Sequence, residues 1–81
     1  YYGIQTGVYS NYNNATEASD KLSRLFNEKI TISEYSKGDE ILYKVIIGKY
    51  TERKSAEKFN LILLDYNIKG FIKSLSLQSK L

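Results

Sequence analysis

Residues 1–10 read YYGIQTGVYS, and residues 42–51 read LYKVIIGKYT. Sliding the chain on itself by 41 positions places Tyr2 on Tyr43, Ile4 on Val45, Gly7 on Gly48, Tyr9 on Tyr50 and Ser10 on Thr51. The alignment runs without a gap from Tyr2 to Ile30, with Ala15 on Ala56, Leu22 on Leu63 and Ile30 on Phe71. Self-similarity of this length means that two copies of one supersecondary unit, 2–30 and 43–71, build the chain.

Each copy opens with an alternating stretch, Ile4/Thr6 and Val45/Ile47, the period-2 pattern of a strand with one buried face. Gly7 and Gly48 then mark a bulge or a left-handed residue, and Tyr9 and Tyr50 cap the edge of the core. A helical period follows: Ala15, Ala18, Leu22 and Leu25 in the first copy, and Ala56, Phe59, Leu63 and Tyr66 in the second. The N-caps are expected at Asn14, with Glu17 three residues on, and at the equivalent Ser55. A short strand closes each copy, one over 29–35 with Ile30 and Ile32 on one face, the other over 70–75. Between the copies, the stretch SKGDE (36–40) has the glycine and polar residues of a hairpin turn.

The order is therefore βαββαβ. Two such halves interleave as a split βαβ sandwich of the α+β class, a four-stranded antiparallel sheet with both helices on one face. The two repeated strands lie side by side at its centre, and the last strand flanks the first.

Composition agrees with one small folded unit. The chain has 81 residues, 42% of them hydrophobic and 26% charged, five glycines and no proline. It has no Cys and no His, which removes thiol nucleophiles, disulfides and the usual neutral-pH proton shuttle, and no cofactor or metal is implied. Its longest apolar run is far too short for a membrane span. Beginning at Tyr1 rather than Met, it is expected to be a domain of a longer protein, ordered as 1–75 with a C-terminal tail, 76–81. The net charge of +3 mildly favours an anionic partner.

Parity lists what the uncovered side of the sheet presents. Ile4, Thr6, Val45 and Ile47 point to the helices. Gly3 and Gln5, Leu42, Lys44 and Ile46, Thr31 and Ser33, and Ile72 with Ser74 point away. Leu42, Ile46 and Ile72 are then exposed aliphatics beside one amide and one ammonium, the composition of a recognition surface. Folding of SLSLQSKL (74–81) over this face is the alternative.

With these residues placed, YGIQTGVYSNYNNA (2–15) resembles the opening of a SPOR domain, and YKVIIGKYTERKSAEKF (43–59) resembles the third strand and second helix of that family. YNIKGFI (66–72) is similar to its closing strand. The resemblance implies a non-catalytic module that binds bacterial peptidoglycan, in particular glycan strands lacking stem peptides, within division proteins and cell-wall hydrolases. It implies a place in the cell envelope, periplasm or wall, enriched at the division septum, and a monomer within a larger protein. The family's binding surface maps onto Gln5, Val8, Leu42, Lys44 and Ile72, to which parity adds Ile46. The position of Val8 is often small and polar in the family, and that of Leu42 can be a large aromatic, so stacking on a sugar is weaker here.

On such a strand Gln5 both donates to and accepts from an acetamide, Lys44 pairs with a lactyl carboxylate, and the aliphatic groups cover sugar C–H faces. The carboxylates of the chain sit in helices and turns rather than paired across the open face, as glycoside hydrolysis requires. Two other readings share the topology: an RNA-recognition module, which would stack bases on sheet aromatics, and a protein–protein adaptor using the same face.

Overall fold

In the computed structural model, which describes residues 1–75, the elements follow in the order β1 (Tyr2–Tyr9), α1 (Tyr12–Leu25), β2 (Ile30–Lys37), β3 (Glu40–Tyr50), α2 (Arg53–Asp65) and β4 (Phe71–Ser74). One antiparallel sheet runs β2-β3-β1-β4, with the repeated strands at its centre and β4 beside β1. The expected split βαβ sandwich is the fold observed. Residues 76–81 lie outside the described residues, and with them the alternative that SLSLQSKL (74–81) folds over the open face.

The core is a single layer between sheet and helices. Ile4, Val45 and Ile47 from the central strands meet Ala15 and Leu22 of α1 and Ala56 and Leu63 of α2, and all seven are buried. Ile4, Ile47, Leu63 and Val45 are the largest side chains wholly removed from water, each stabilising the fold by about 1.5–3 kcal/mol. The alanines of each stripe let the helix backbones approach the sheet. Leu25 and Tyr66, the last members of the two stripes, are instead 52% and 50% exposed. Phe26, the residue after α1, fills the space by packing edge-on against Phe59 and Tyr66.

Both helices begin one turn earlier than expected. Asn11, not Asn14, caps α1, its side chain accepting from the N–H groups of Asn13 at 2.8 Å and Asn14 at 3.3 Å. Glu52, not Ser55, occupies the N-cap of α2, and its side chain makes no capping bond. The two caps still stand 41 residues apart, so the repeat survives the correction. A run of three asparagines and a tyrosine offers several equivalent starts, and extended backbone at Asn11, φ −120°, selects the first.

The glycines of the repeated phrase have a packing role that both copies share. Tyr9 folds back over Gly7 and Tyr50 over Gly48, so that a β-carbon at Gly7 would stand 2.8 Å from the Tyr9 ring. Gly48 also has φ +91°, a conformation other residues adopt only under strain. At these points the pairing of β1 with β3 skips: Gln5 lies opposite Ile46, but Gly7 lies opposite Val45. Each central strand is therefore bulged, and the inward residues Tyr2, Ile4, Thr6 and Tyr9 repeat as Tyr43, Val45, Ile47 and Tyr50. Tyr50 also donates to the Glu28 carboxylate at 2.8 Å, tying the end of β3 to the turn before β2. Burial, aided by that carboxylate, pushes the Tyr50 phenol well above its ordinary range.

The 36–40 turn is a two-residue hairpin with Ser36 opposite Ile41 and Lys37 opposite Glu40. Gly38, φ +62°, takes its first central position, which requires a positive φ.

Candidate functional site

Among the described residues no helix covers the far side of the sheet, and strand pairing lists its occupants row by row. At one end Ser33, Lys44 and Val8 lie abreast; in the middle come Thr31, Ile46, Gln5 and Phe71. At the other end Lys73 stands opposite Gly3, with Lys49 on the bulged end of β3 and Lys29 bonded through its carbonyl to the Gly48 N–H. Part of this face forms a shallow cleft of about 570 Å³ lined by Gln5, Lys44, Ile46 and the three lysines at the far end, with Val8, Leu42 and Phe71 outside its lining.

Val8 reaches this face because of the bulge. Strict alternation from Ile4 would turn it toward the helices; the extra residue before Gly7 reverses the parity, leaving Val8 43% exposed opposite Lys44 and Tyr9 against the core. Leu42 shares the face, opposite Tyr35. The Lys44 ammonium sits 4.3 Å above the centre of the Tyr35 ring, a cation–π contact that holds the charge over the sheet.

Two of the sequence assignments change. Ile46 faces outward but is only 8% exposed, so it is floor rather than exposed aliphatic. Gly3 allows this: a β-carbon there would stand 2.7 Å from Ile46 Cγ2 and 3.2 Å from Leu75 Cδ1. Ile72 does not face outward at all. It lies opposite Ile4 and packs on the core, while Phe71, opposite Gln5 and 67% exposed, takes the outward place.

The reason is a one-residue slip between the copies. After α1 the chain leaves in extended form at Phe26, φ −132°, and Phe26 enters the core. After α2 it turns through Asn67, φ +61°, with the Ile68 N–H donating to the Leu63 carbonyl, and Ile68 enters the core instead. Ile32 lies opposite Val45 and Ile72 opposite Ile4, so Ile72 corresponds in space to Ile32 and the offset has become 40.

Gln5 carries an unusual feature. Its Oε1 is shielded from solvent and accepts no hydrogen bond among the described residues. An acceptor in that state keeps its desolvation cost until a donor arrives. Lys29, Lys49, Lys73, Tyr35 and Phe71 were not among the residues singled out by sequence. Lys49 was within reach, since it is the 41-residue equivalent of Val8; Phe71 and Lys73 depended on the slip.

A larger groove, about 800 Å³, lies on the helix side between α1 and residues 66–69. Its charged residues are of both signs, Glu17 beside Lys21 and Lys69, and it gathers no unpartnered polar atom. The sheet face, with cations of one sign and an orphan acceptor between them, is the better recognition surface despite its smaller volume.

A four-stranded face left open by the described residues and backed by two helices, built from a duplicated strand–helix unit, is the architecture of a small binding module. The SPOR domain profile matches residues 1–64, and the chain belongs to that family. Among solved structures, the SPOR domain of RlpA from Pseudomonas aeruginosa superposes with a TM-score of 0.80 at 18% identity, covering 93% of this chain and all of that one. The peptidoglycan-binding domain of the cell wall lytic enzyme CwlC of B. subtilis superposes with a TM-score of 0.69 at 19% identity, covering 93% of this chain and 89% of that one. No curated protein sequence matches the chain.

Proposed function

We propose that this domain is a non-catalytic module that binds bacterial peptidoglycan through its open sheet face, preferring glycan strands stripped of stem peptides. The observation that carries the reading is the cleft itself. A glutamine with an unsatisfied carbonyl sits between lysines over an aliphatic floor, with no carboxylate in the lining. Membership of the SPOR family and the likeness to a peptidoglycan-binding domain support it.

Once its side chain rotates to bring Oε1 out of its shielded place, Gln5 accepts from the acetamide N–H or a hydroxyl of a sugar, while its Nε2 is left to donate. Lys44 takes the lactyl carboxylate that peptide removal exposes. Val8, Leu42 and Phe71 cover C–H faces, and Ile46 beneath them keeps the floor dry. Phe71 provides the ring that Leu42 lacks. A stem peptide would crowd this shallow surface at the lactyl position, which gives the preference for stripped strands a steric component. Ile72 acts from the core side, holding β4 in register so that Phe71 and Lys73 face out.

Each contact is small: about 0.5–1.5 kcal/mol for a neutral hydrogen bond and ~0.2–1 kcal/mol for an exposed ion pair. One domain therefore holds the wall weakly, and firm retention takes a second anchor or several domains. The parent protein is thereby directed to the envelope, and to the septum where stripped strands accumulate. The module is taken to run to residue 75, since β4 completes the face. Hydrolysis has no place on it, because two flanking carboxylates are needed and the cleft lining has none.

The test is pelleting of the purified domain with sacculi before and after amidase treatment, and in parallel with poly-U RNA. Amidase-enhanced pelleting is the expected result. Retention on RNA with none on sacculi would replace this reading with the nucleic-acid one.

A further inference from the structure

Among residues 1–75, four of the eleven cationic side chains, Lys29, Lys44, Lys49 and Lys73, line the open-face cleft, leaving seven against nine carboxylates over the rest. The excess of positive charge among the described residues thus lies on one surface. None of the four pairs with an acid: the one ion pair among the described residues is Arg53–Glu57, on α2. The first carboxylate on this face along β3 is Glu40, out at the hairpin and opposite Lys37.

The lysines are not spread evenly. Lys44 stands alone at one end, poised over Tyr35; Lys29, Lys49 and Lys73 gather at the other, with the Lys49 ammonium 4.6 Å above the Tyr1 ring. Lys44 and Lys49 are five residues apart on one strand, so about 16 Å of backbone separates the two stations. No small anion bridges that distance. Like charges held together repel, and a ligand that brings anions to both ends relieves that repulsion.

Resting on the reading above, we propose that the cleft is a two-station polyanion track, which takes a glycan strand bearing carboxylates on successive repeats and depends on their charge rather than on the sugar rings or the missing peptide alone. Gln5, Ile46 and Thr31 between the stations hold the neutral sugar that links one carboxylate to the next. The minimal ligand is accordingly longer than one repeat. A neutral strand of the same sugars meets only the middle of the site.

The experiment uses the 81-residue chain and three immobilised glycans: amidase-stripped sacculi, the same sacculi with their carboxylates converted to primary amides by carbodiimide and ammonium, and chitin as the neutral control; poly-U is a fourth arm. Expected are retention on stripped sacculi, loss of most of it on the amidated sample and on chitin, and a decline between about 0.01 M and 0.15 M salt, as the Debye length contracts from about 30 to 8 Å. Lys44→Gln and Lys49→Gln should each cost roughly 1.5–5-fold and compound when combined, while Lys→Arg at either position restores binding. Equal retention on stripped and amidated sacculi overturns the track and leaves peptidoglycan binding standing. Loss from Lys44→Gln but none from any change at 29, 49 or 73 also overturns it, since one station then suffices. Absence from every sacculus overturns both proposals, as does retention on poly-U alone.

Discussion

In the proposed site, Gln5 sets recognition against stability within one side chain. Its carbonyl oxygen is shielded and unpartnered, so the folded domain carries an uncompensated desolvation cost there, which a bound donor would offset in the proposed site. Gln5→Leu removes that acceptor without opening a cavity. The melting temperature is expected to stay level or rise, and pelleting with stripped sacculi to fall about 2–10-fold. A lower melting temperature with unchanged pelleting would make Gln5 structural. Tyr50 is the opposite case, polar but serving the fold. In the unfolded chain its phenol ionises near the ordinary value of 10.0, whereas burial and the Glu28 carboxylate raise it in the folded domain. The folded state keeps a proton that the unfolded chain gives up. This contribution to stability is complete below pH 10 and is lost as pH rises beyond it. Denaturation followed from pH 8 to 11 should show a steeper alkaline decline for the native protein than for Tyr50→Phe.

Two helices of nearly equal length are started by unequal caps. Asn11 satisfies two free N–H groups of α1, and Glu52, in the same place on α2, satisfies none. Asn11→Ala should destabilise the domain by about 0.5–2 kcal/mol, whereas Glu52→Ala should change little and Glu52→Asn should stabilise by about 1 kcal/mol. Urea denaturation of the three variants settles the comparison. Helix ends also mark where sequence patterns lose their hold. The stripes from Ala15 and Ala56 were legible because core packing enforces their period, yet neither cap was, since asparagines at 11, 13 and 14 compete for the role. The bulge at Gly7 was legible as a glycine with work to do, but its effect on Val8 emerged only from the pairing with β3. For β4, FIKS offers two large apolar residues in succession, and either Phe71 or Ile72 could be buried. The left-handed turn at Asn67 replaces the extended exit at Phe26, and Ile72 comes opposite Ile4 one residue sooner than a strict 41-residue repeat would bring it.

At the scale of the molecule, neither copy of the repeat is a folding unit. β1 pairs only with β3 and β4, and β2 only with β3, so every ladder of the first half lies on the second. A peptide of residues 1–38 should therefore show no cooperative thermal transition by circular dichroism, while the whole chain should. The duplication by itself determined the element order, the central pair of strands, the inward set built on Ile4 and Val45, and the outward places of Gln5, Leu42, Lys44 and Ile46, because a buried face imposes a period that the residues must carry. Only the tertiary structure decided how deep Ile46 sits, which residue of β4 turns outward, and that Lys29, Lys49 and Lys73 converge. Those depend on bulges, helix exits and contacts between strands far apart in the chain, where a shift of one residue reverses a side chain and no local pattern records it.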